Sequence, residues 1–377
     1  MAQRGEKTNA IRKEFVQLAT QEGSNIRLLC RRYQISSRTA YKWLKRYREQ
    51  GEAGLIDQSR RPQHSPLRTT AEMEQRVLAK RDETGWGGRK IARVLENEGY
   101  ADAPHANTIT DILRRNGRLS EEEQRKHHAW KRFEREAPNA LWQMDFKGHF
   151  ATAKGRCHPL TVLDDHSRFC LGLRACANET MAATQAGLVL IFERYGLPVA
   201  ILCDNGGPWG SGYPRLELTH LSVWLIRLGI QIIHGWPSHP QTQGKDERFH
   251  RTLKEEVIQR YTFQSISECQ QQFDRFRERY NQVRPHEALQ LDTPIQHYHP
   301  SSVPFPAVLP TIEYDEGMIV RKVQAGGIIY FMNREFRVGK ALQGQRVRLV
   351  PTHPDGCFDV FFSTVWVDKI DLSVPQS

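Results

Sequence analysis

The sequence predicts a multidomain chain: an all-α N-terminal third, a central mixed α/β domain and a small all-β C-terminal unit. Three observations lead there. Apolar residues recur at helical spacing in two separate runs before residue 120, strand-like and helical segments alternate from Pro138, and short alternating runs between turn residues follow Pro310. A length of 377 residues is enough for two to four such domains.

The first run opens with Ile11, Phe15, Leu18 and Ala19 at the spacing of one helical face, followed by Ile26, Leu28 and Leu29. Ser36-Ser37 offers an N-cap, and Ala40, Trp43, Leu44 and Tyr47 form the apolar face of a third helix. The opposite face of that helix carries Arg38, Tyr41, Lys42 and Lys45, donors suited to phosphates and to base edges in a major groove. Residues 1–56 therefore resemble the helix-turn-helix domains of bacterial transposases and regulators. Residues 57–70 are polar with two prolines and read as a linker.

The second run, residues 71–119, places Met73, Val77 and Leu78, then Ile91, Val94 and Leu95, then Ile109, Ile112 and Leu113 on three helices broken at Gly85-Trp86-Gly87-Gly88 and before Pro104. Thr108, Asp111 and Arg115 share the outward face of the last, which makes Arg115 a second candidate DNA contact. Ser120 and Glu123 form a capping-box signature for a connecting helix over 120–137. His127-His128 has no suitably spaced Cys pair after it, so no zinc site is expected there.

Charge separates these units from the rest. Residues 1–60 hold 13 Lys/Arg against 6 Asp/Glu, and residues 61–136 hold 16 against 13, so the first 136 residues carry +10 of the formal net charge of +11. A basic N-terminal third beside a nearly neutral remainder points to a module that contacts polyanion. Hydrophobic residues at 39% exclude collagen-like, mucin-like and wholly disordered classes. No run approaches the roughly 18 apolar residues of a membrane span, and the N-terminus lacks a signal-peptide core, so a soluble intracellular protein with no membrane partner is expected. Seven scattered Cys without a CxxC pair fit a reducing compartment, with the thiols as small buried hydrophobes.

In the central domain, residues 138–300, strands are expected near 141–150, 158–164, 168–175, 199–203 and 230–234. Helices are expected near 180–195, 215–228, 244–260 and 266–282. Three consecutive strands followed by alternating helices and strands predict a mixed sheet covered on both faces, the order of ribonuclease-H-like folds. Asp145 lies inside an apolar strand, where an unpaired carboxylate is costly, and Asp204 ends a buried strand before Asn205-Gly206-Gly207. Glu247 sits early in a helix. In this order the first and fourth strands are neighbours and the helix packs beside them, so the three acids can converge. Mutual repulsion and desolvation would then load protons onto them unless a cation compensates, and oxygen-only ligands suit Mg²⁺ or Mn²⁺. Two such ions suit an in-line displacement at phosphorus. Asp246 rivals Glu247 for the third position, and Asp164-Asp165 reads as a turn.

The strings LWQMDFKG, LCDNGGPW, HPQTQGKDERFHRTLKEE and YNQVRPHEAL resemble the DDE catalytic core of bacterial insertion-sequence transposases, closest to insertion sequence family 481, which sits near the retroviral integrases. The resemblance covers about 138–295. It implies Asp145, Asp204 and Glu247 as the metal-binding catalytic triad, two Mg²⁺ ions with Mn²⁺ as a substitute, cleavage of DNA ends and strand transfer. It also implies a bacterial, cytoplasmic, nucleoid-associated protein that works on terminal inverted repeats and target DNA as at least a dimer. Glu247 stands three residues after Gly244, as in the Gln-Gly-x-x-Glu pattern of integrase cores. The 42 residues between Asp204 and Glu247 exceed the usual spacing of about 35, and the surplus is placed in the Gly-rich loop at 209–215. On the Glu247 helix His250, Arg251 and Lys254 share its face and are expected to hold end phosphates. Arg284-Pro285-His286 matches the family pattern without a physical role from sequence.

Residues 301–312, rich in Pro, read as a linker. The short runs over 313–377 predict a small antiparallel β-barrel, and seven basic residues against one acid between Arg321 and Arg348 make DNA backbone a candidate ligand. The rival classes are a metal-dependent nuclease of the same fold that does not join ends, and a catalytically silent DNA-binding regulator.

Overall fold

A computed structural model describes residues 2–57, 68–119, 135–204, 206–211, 217–234 and 244–374. The connecting helix expected over 120–137 falls mostly outside these residues, as does His127-His128. The chain divides into two compact units, Met1–Arg68 and Thr69–Ser377. Among the described residues no helix is long and apolar enough to cross a membrane.

The first unit is three helices, α1 (Ala2–Ala19), α2 (Ile26–Arg32) and α3 (Ser37–Gln50). The Asn25 and Ser36 side chains accept from Leu28 N and Thr39 N, supplying partners to backbone donors that each helix start leaves unpaired. Phe15, Val16, Ala19, Cys30, Ala40, Leu44 and Leu55 form the core, with the Phe15 ring edge-on to Tyr33 and Trp43. Of the expected core residues, Ile11 is 47% exposed and Leu28 65%, because Val16 and Cys30 take the inward positions, and Leu18 is only partly buried outside the cluster.

The second unit begins with α4 (Ala71–Thr84), α5 (Gly88–Asn97) and α6 (Ala106–Arg115). Its core has Met73, Val77, Ile91, Val94, Leu95, Ile109, Ile112 and Leu113, all expected from their spacing, and adds Trp86. Gly88 permits a close helix crossing: a Cβ there would stand 2.4 Å from the Ala106 carbonyl oxygen.

The central sheet contains β1 (Trp142–Phe146), β2 (Phe150–Thr152), β3 (Gly155–Asp164), β4 (Cys170–Cys176), β5 (Ala200–Cys203) and, after a small β6–β7 ribbon (Gly210–Ser211, Glu217–Leu218), β8 (Gln231–His234). The order is β2-β3-β1-β5-β8, with β4 also paired to β3. β1 runs antiparallel to β3, β5 lies parallel to β1 and β8 parallel to β5, so the first and fourth long strands are neighbours. Helices α7 (Met181–Tyr195) and α8 (His220–Arg227) help cover one face, which buries Trp142, Met144, Ile191, Phe192, Leu221 and Leu225. Helices α9 (Gly244–Leu253) and α10 (Ile266–Gln282) cover the other, with Phe249, Leu253, Phe273, Phe276 and Tyr280 against Cys157, Leu163 and Cys170. Beyond α9 the chain continues as a π turn, Lys254–Ile258. All seven Cys are buried and free.

The C-terminal segment is not a closed barrel. It is an open four-stranded sheet, β14-β13-β12-β9 (Val365–Asp371, Cys357–Phe362, Arg346–Thr352, Ile319–Lys322), beside a two-stranded hairpin, β10-β11 (Ile328–Phe331, Arg334–Arg337). Closure is unnecessary because other elements cover the apolar face: Val223 and Ile226 of α8 pack with Val347, Leu349, Val360 and Phe362.

Candidate active site

The register of the sheet positions the first two acids. Trp142 pairs with Ile201 and Gln143 with Leu202, so two residues further along the parallel pair Asp145 comes beside Asp204 at the carboxyl end of both strands. Asp145 is half-buried. Burial first and the Asp204 charge second push its carboxyl up to about 7, with Glu179 adding to the effect. Asp204 is also raised, by burial foremost, while its hydrogen bond from Gly206 N and the nearby His234 act against the shift. Glu179, on the segment leading into α7, is a carboxylate near this pair that sequence reasoning missed, and it accepts from His158 Nδ1 at 2.8 Å.

Helix α9 meets β1 through His250. Its Nδ1 lies 3.9 Å from the Asp145 carboxylate, and its Nε2 is 2.8 Å from Thr161 Oγ1, which donates to the Asp145 carbonyl oxygen at 3.0 Å. The Thr161 proton is committed to that carbonyl, so Nε2 must donate to Thr161. Burial, then Lys147, lowers His250 to about 4, leaving it neutral with an unprotonated Nδ1 toward Asp145. Thr161 lies directly opposite Asp145 on β3, a register that the sequence does not disclose. Lys147, at the end of β1, is lowered by burial and then by Lys254 of the π turn, so two cations approach one another beside the acids.

The third acid is placed differently. Glu247 stands exposed on α9, as do Arg251 and Lys254, whereas Asp246 is buried to 2% exposure. Among the described residues no three His, Cys, Asp or Glu side chains are grouped closely enough to hold a metal ion. The structure thus brings Asp145 and Asp204 together and does not bring Glu247 to them. Asp246 Oδ1 lacks a hydrogen-bond partner, and burial followed by Asp145 and Asp165 holds its carboxyl well above the usual range. The donors present still fit a hard divalent cation: two half-buried carboxylates, each held toward its protonated form by desolvation, are oxygen ligands whose ionisation a cation would favour.

Asp164 and Asp165 are structural. Asp164 accepts from Asn139 N, Ser167 N and Ser167 Oγ, closing the β3–β4 turn. Asp165 accepts from Gln143 Nε2 and pairs with Lys245 at 2.5 Å, tying the start of α9 to the turn. In the 209–215 loop, Trp209 is buried and its ring stacks on Phe146 at 5.7 Å, beside Asp145 in sequence.

Of the expected DNA contacts, Arg38, Tyr41, Lys42 and Lys45 are all exposed on α3, with Lys45 loosely paired to Glu49 at 3.8 Å. Arg115 is exposed on α6 but engages Glu74 in an ion pair.

The Arg284-Pro285-His286 segment has a physical role. Arg284 Nε donates to buried Glu256 at 3.1 Å, Arg279 donates to the same carboxylate at 3.3 Å, and the Trp86 indole donates to it at 3.1 Å. Arg93 pairs with Asp292 at 2.8 Å, and Arg260 donates to the Glu83 carbonyl at 2.6 Å. The α4–α6 domain is docked on the central domain by these contacts.

Comparison with known proteins places these segments. Two family models described as integrase core domain match residues 135–240 and 228–294. A helix-turn-helix domain matches 11–63 and a homeodomain-like domain 39–113. The C-terminal domain of IS481 family transposases matches 318–377. An uncharacterized 39.2 kDa protein of insertion element IS476 from Xanthomonas euvesicatoria is 26% identical over 163 residues, 42% of this chain and 44% of that protein. A 31.7 kDa protein of insertion element IS407 from Burkholderia multivorans is 25% identical over 217 residues, 55% of this chain and 74% of that one. The chain thus spans under half the length of the first of these relatives. Among solved structures, the simian T-cell lymphotropic virus intasome in complex with PP2A regulatory subunit B56 gamma gives a TM-score of 0.40 at 15% identity, covering 79% of this chain and 96% of that one. The chain therefore carries helix-turn-helix, integrase-core and IS481-type transposase C-terminal segments in that order.

Proposed function

We propose that this chain is the transposase of an insertion sequence, which binds terminal inverted repeats through its helix-turn-helix units, exposes DNA 3′ hydroxyls by metal-dependent cleavage and joins them to target DNA. The observation that carries the reading is the pairing of Asp145 with Asp204 at the ends of adjoining parallel strands, in a chain whose integrase-core segment is flanked by helix-turn-helix and IS481-type segments. Asp145 and Asp204 would hold two Mg²⁺ ions, with Mn²⁺ as a substitute and Glu247 as the third ligand once α9 turns it toward them, and the ions would supply Lewis-acid activation of the attacking and leaving oxygens.

The chain's own residues prepare that chemistry. Thr161 and neutral His250 fix the backbone and carboxyl of Asp145 without adding a competing positive charge. His234 Nδ1 donates to the Asp204 carbonyl oxygen at 3.1 Å and holds the other strand end. Arg251 and Lys254 stand exposed along the segment that carries Glu247 and serve the phosphates of the DNA end, whereas His250, expected among them, stays with Thr161 and Asp145. Arg38, Tyr41, Lys42 and Lys45 read the repeat, with Arg115 contributing from the second helical unit once released from Glu74. Water and then a DNA 3′ hydroxyl act as nucleophiles, so no covalent protein–DNA intermediate forms, and joining two ends requires at least a dimer. Target DNA is the second substrate, and the site of action is the bacterial nucleoid.

The test incubates the protein with a labelled terminal-repeat duplex, a plasmid and Mg²⁺. Nicked ends and end–plasmid joints are expected for the wild type and neither for Asp204→Asn. Binding without either product would overturn the catalytic reading, and nicking without joining would leave a nuclease.

A further inference from the structure

Four basic side chains from separate parts of the second unit act on one spot beside the docked helical domain: Arg284 beyond α10, Lys90 of α5, Arg168 in the β3–β4 turn and Arg248 of α9. Their meeting point is His286. The His286 ring packs edge-on to Tyr280 at 4.6 Å, and the Arg284 guanidinium lies over the same Tyr280 ring at 5.6 Å. Arg284 reaches the Thr252 hydroxyl at 3.5 Å, and Arg248 stands one turn before Thr252, so Arg248 lies on the side of α9 that Arg284 approaches. Lys90 is carried to the spot by its neighbours on α5, since Arg89 pairs with Glu287 at 3.8 Å and Arg93 with Asp292, whose carbonyl accepts from His286 N at 3.0 Å.

Glu256, Glu287 and Glu255 act on Lys90 from the acidic side, and burial still outweighs them. Glu256, the buried acid, already receives Arg279, Arg284 and Trp86. His286 is only 8% exposed, and its Nε2 is buried without a hydrogen-bond partner. An orphaned polar atom of this kind calls for a ligand or a bound water. Burial and then Arg284 push Lys90 down to about 8. Burial and then the four cations, Arg284 foremost, hold His286 well below its usual range. An anion here would relieve both.

We infer that Lys90, Arg248 and His286 form a phosphate site at the seam between the docked helical domain and α9, and that its ligand is a backbone phosphodiester of the bound DNA end. The inference rests on the transposase reading above. It assigns the seam a ligand that the reading leaves open. Arg248 is exposed, so the cluster opens to solvent along α9. Glu247 precedes Arg248 on that helix and faces about 100° away, so a phosphate held here lies to one side of that carboxylate. The site would therefore hold the DNA end at a phosphate other than the one being cut.

The experiment measures affinity of the full-length protein for a duplex that it has itself enriched from a random pool, over a series of salt concentrations, for wild type, Lys90→Gln, Arg248→Gln and the double variant. Melting temperatures report whether each variant stays folded. Each single variant is expected to weaken binding about 5- to 10-fold and to make the slope of log affinity against log salt shallower by about 0.9. The double variant should lose less than the product of the two, because both hold one phosphate. A second arm titrates inorganic phosphate and follows the His286 imidazole resonances, with His286→Gln to assign them. Unchanged DNA affinity and slope in folded variants overturn the proposal. The same result with a His286 response to inorganic phosphate means that the site takes free phosphate instead. A wild type that binds no duplex removes the transposase reading, and this inference with it.

Discussion

The Trp86 indole N–H donates to the Glu256 carboxylate at 3.1 Å across 170 residues of sequence, joining the Gly-rich break between α4 and α5 to the π turn after α9. Both partners are buried. Glu256 also neutralises Arg279 and Arg284, so one carboxylate carries the docking of a helix-turn-helix unit and the anchoring of the Arg-Pro-His segment. Removing a partner from a buried charge cluster leaves uncompensated charge, which costs about 3–5 kcal/mol. Glu256→Ala should therefore lower stability by about that amount. Trp86→Phe, which removes one hydrogen bond to a charged group, should cost about 1.5–3 kcal/mol. Denaturant titration of the two single variants and the double checks this. Additive losses would mean that the two side chains do not act as a pair.

Asp145 predicts a pH signature. Its native carboxyl is raised to about 7 from 3.8, so between these values the folded state holds a proton that the unfolded state has lost. Its contribution to stability is complete below about pH 4 and is lost as the pH rises through 7. The stability of wild type relative to Asp145→Asn should thus fall between pH 4 and 7, by at most about 1.4 kcal/mol per unit. Millimolar Mg²⁺ should reverse the trend at pH 8 in the wild type and not in Asp145→Asn. A difference that stays flat with pH would show that the carboxyl titrates as an ordinary surface acid.

On α3, Arg38 and Lys42 are exposed one turn apart, and neither stabilises the helix core formed by Ala40 and Leu44. Arg38→Ala and Lys42→Ala should leave the melting temperature within a degree or two. A side chain that reads a base edge should cost about 1–3 kcal/mol on the preferred sequence and relax the preference. One that only meets phosphate should weaken all sequences alike. Binding selections on random duplexes separate these outcomes, and unaltered binding by both variants would remove α3 as the recognition helix.

The sequence disclosed the pairing of Asp145 with Asp204, because each acid interrupts or ends an apolar strand and the order of elements makes those strands neighbours. Helix spacing likewise disclosed Ile91, Leu95 and Ile109 as core. Three features were not legible, each for a tertiary reason. Alternating runs after residue 313 specify strands but not closure, and here α8 supplies the cover that a closed barrel would have provided. Leu28 has the hydropathy of a core residue, but on the short helix α2 Cys30 faces inward in its place. Arg284 was visible as a motif. Its meaning depended on Glu256, which a π turn points toward the Arg279 and Arg284 side.

Asp246 and Glu247 are adjacent carboxylates with opposite environments, one buried with an unpartnered oxygen and one exposed on α9. Substitution separates their roles. Asp246 is held toward its neutral form by burial and by Asp145 and Asp165, so the isosteric Asp246→Asn removes a charge that the fold already disfavours. It should maintain or raise the melting temperature and retain cleavage within about tenfold. Glu247→Gln removes an exposed charge, so stability should change by less than about 0.5 kcal/mol, the usual range for surface substitutions. If Glu247 is the third metal ligand, cleavage and joining should fall at least a thousandfold while DNA binding persists. The reverse pattern, with Asp246→Asn inactive and Glu247→Gln active, would move the third ligand to Asp246 and require α9 to turn its buried face toward Asp145.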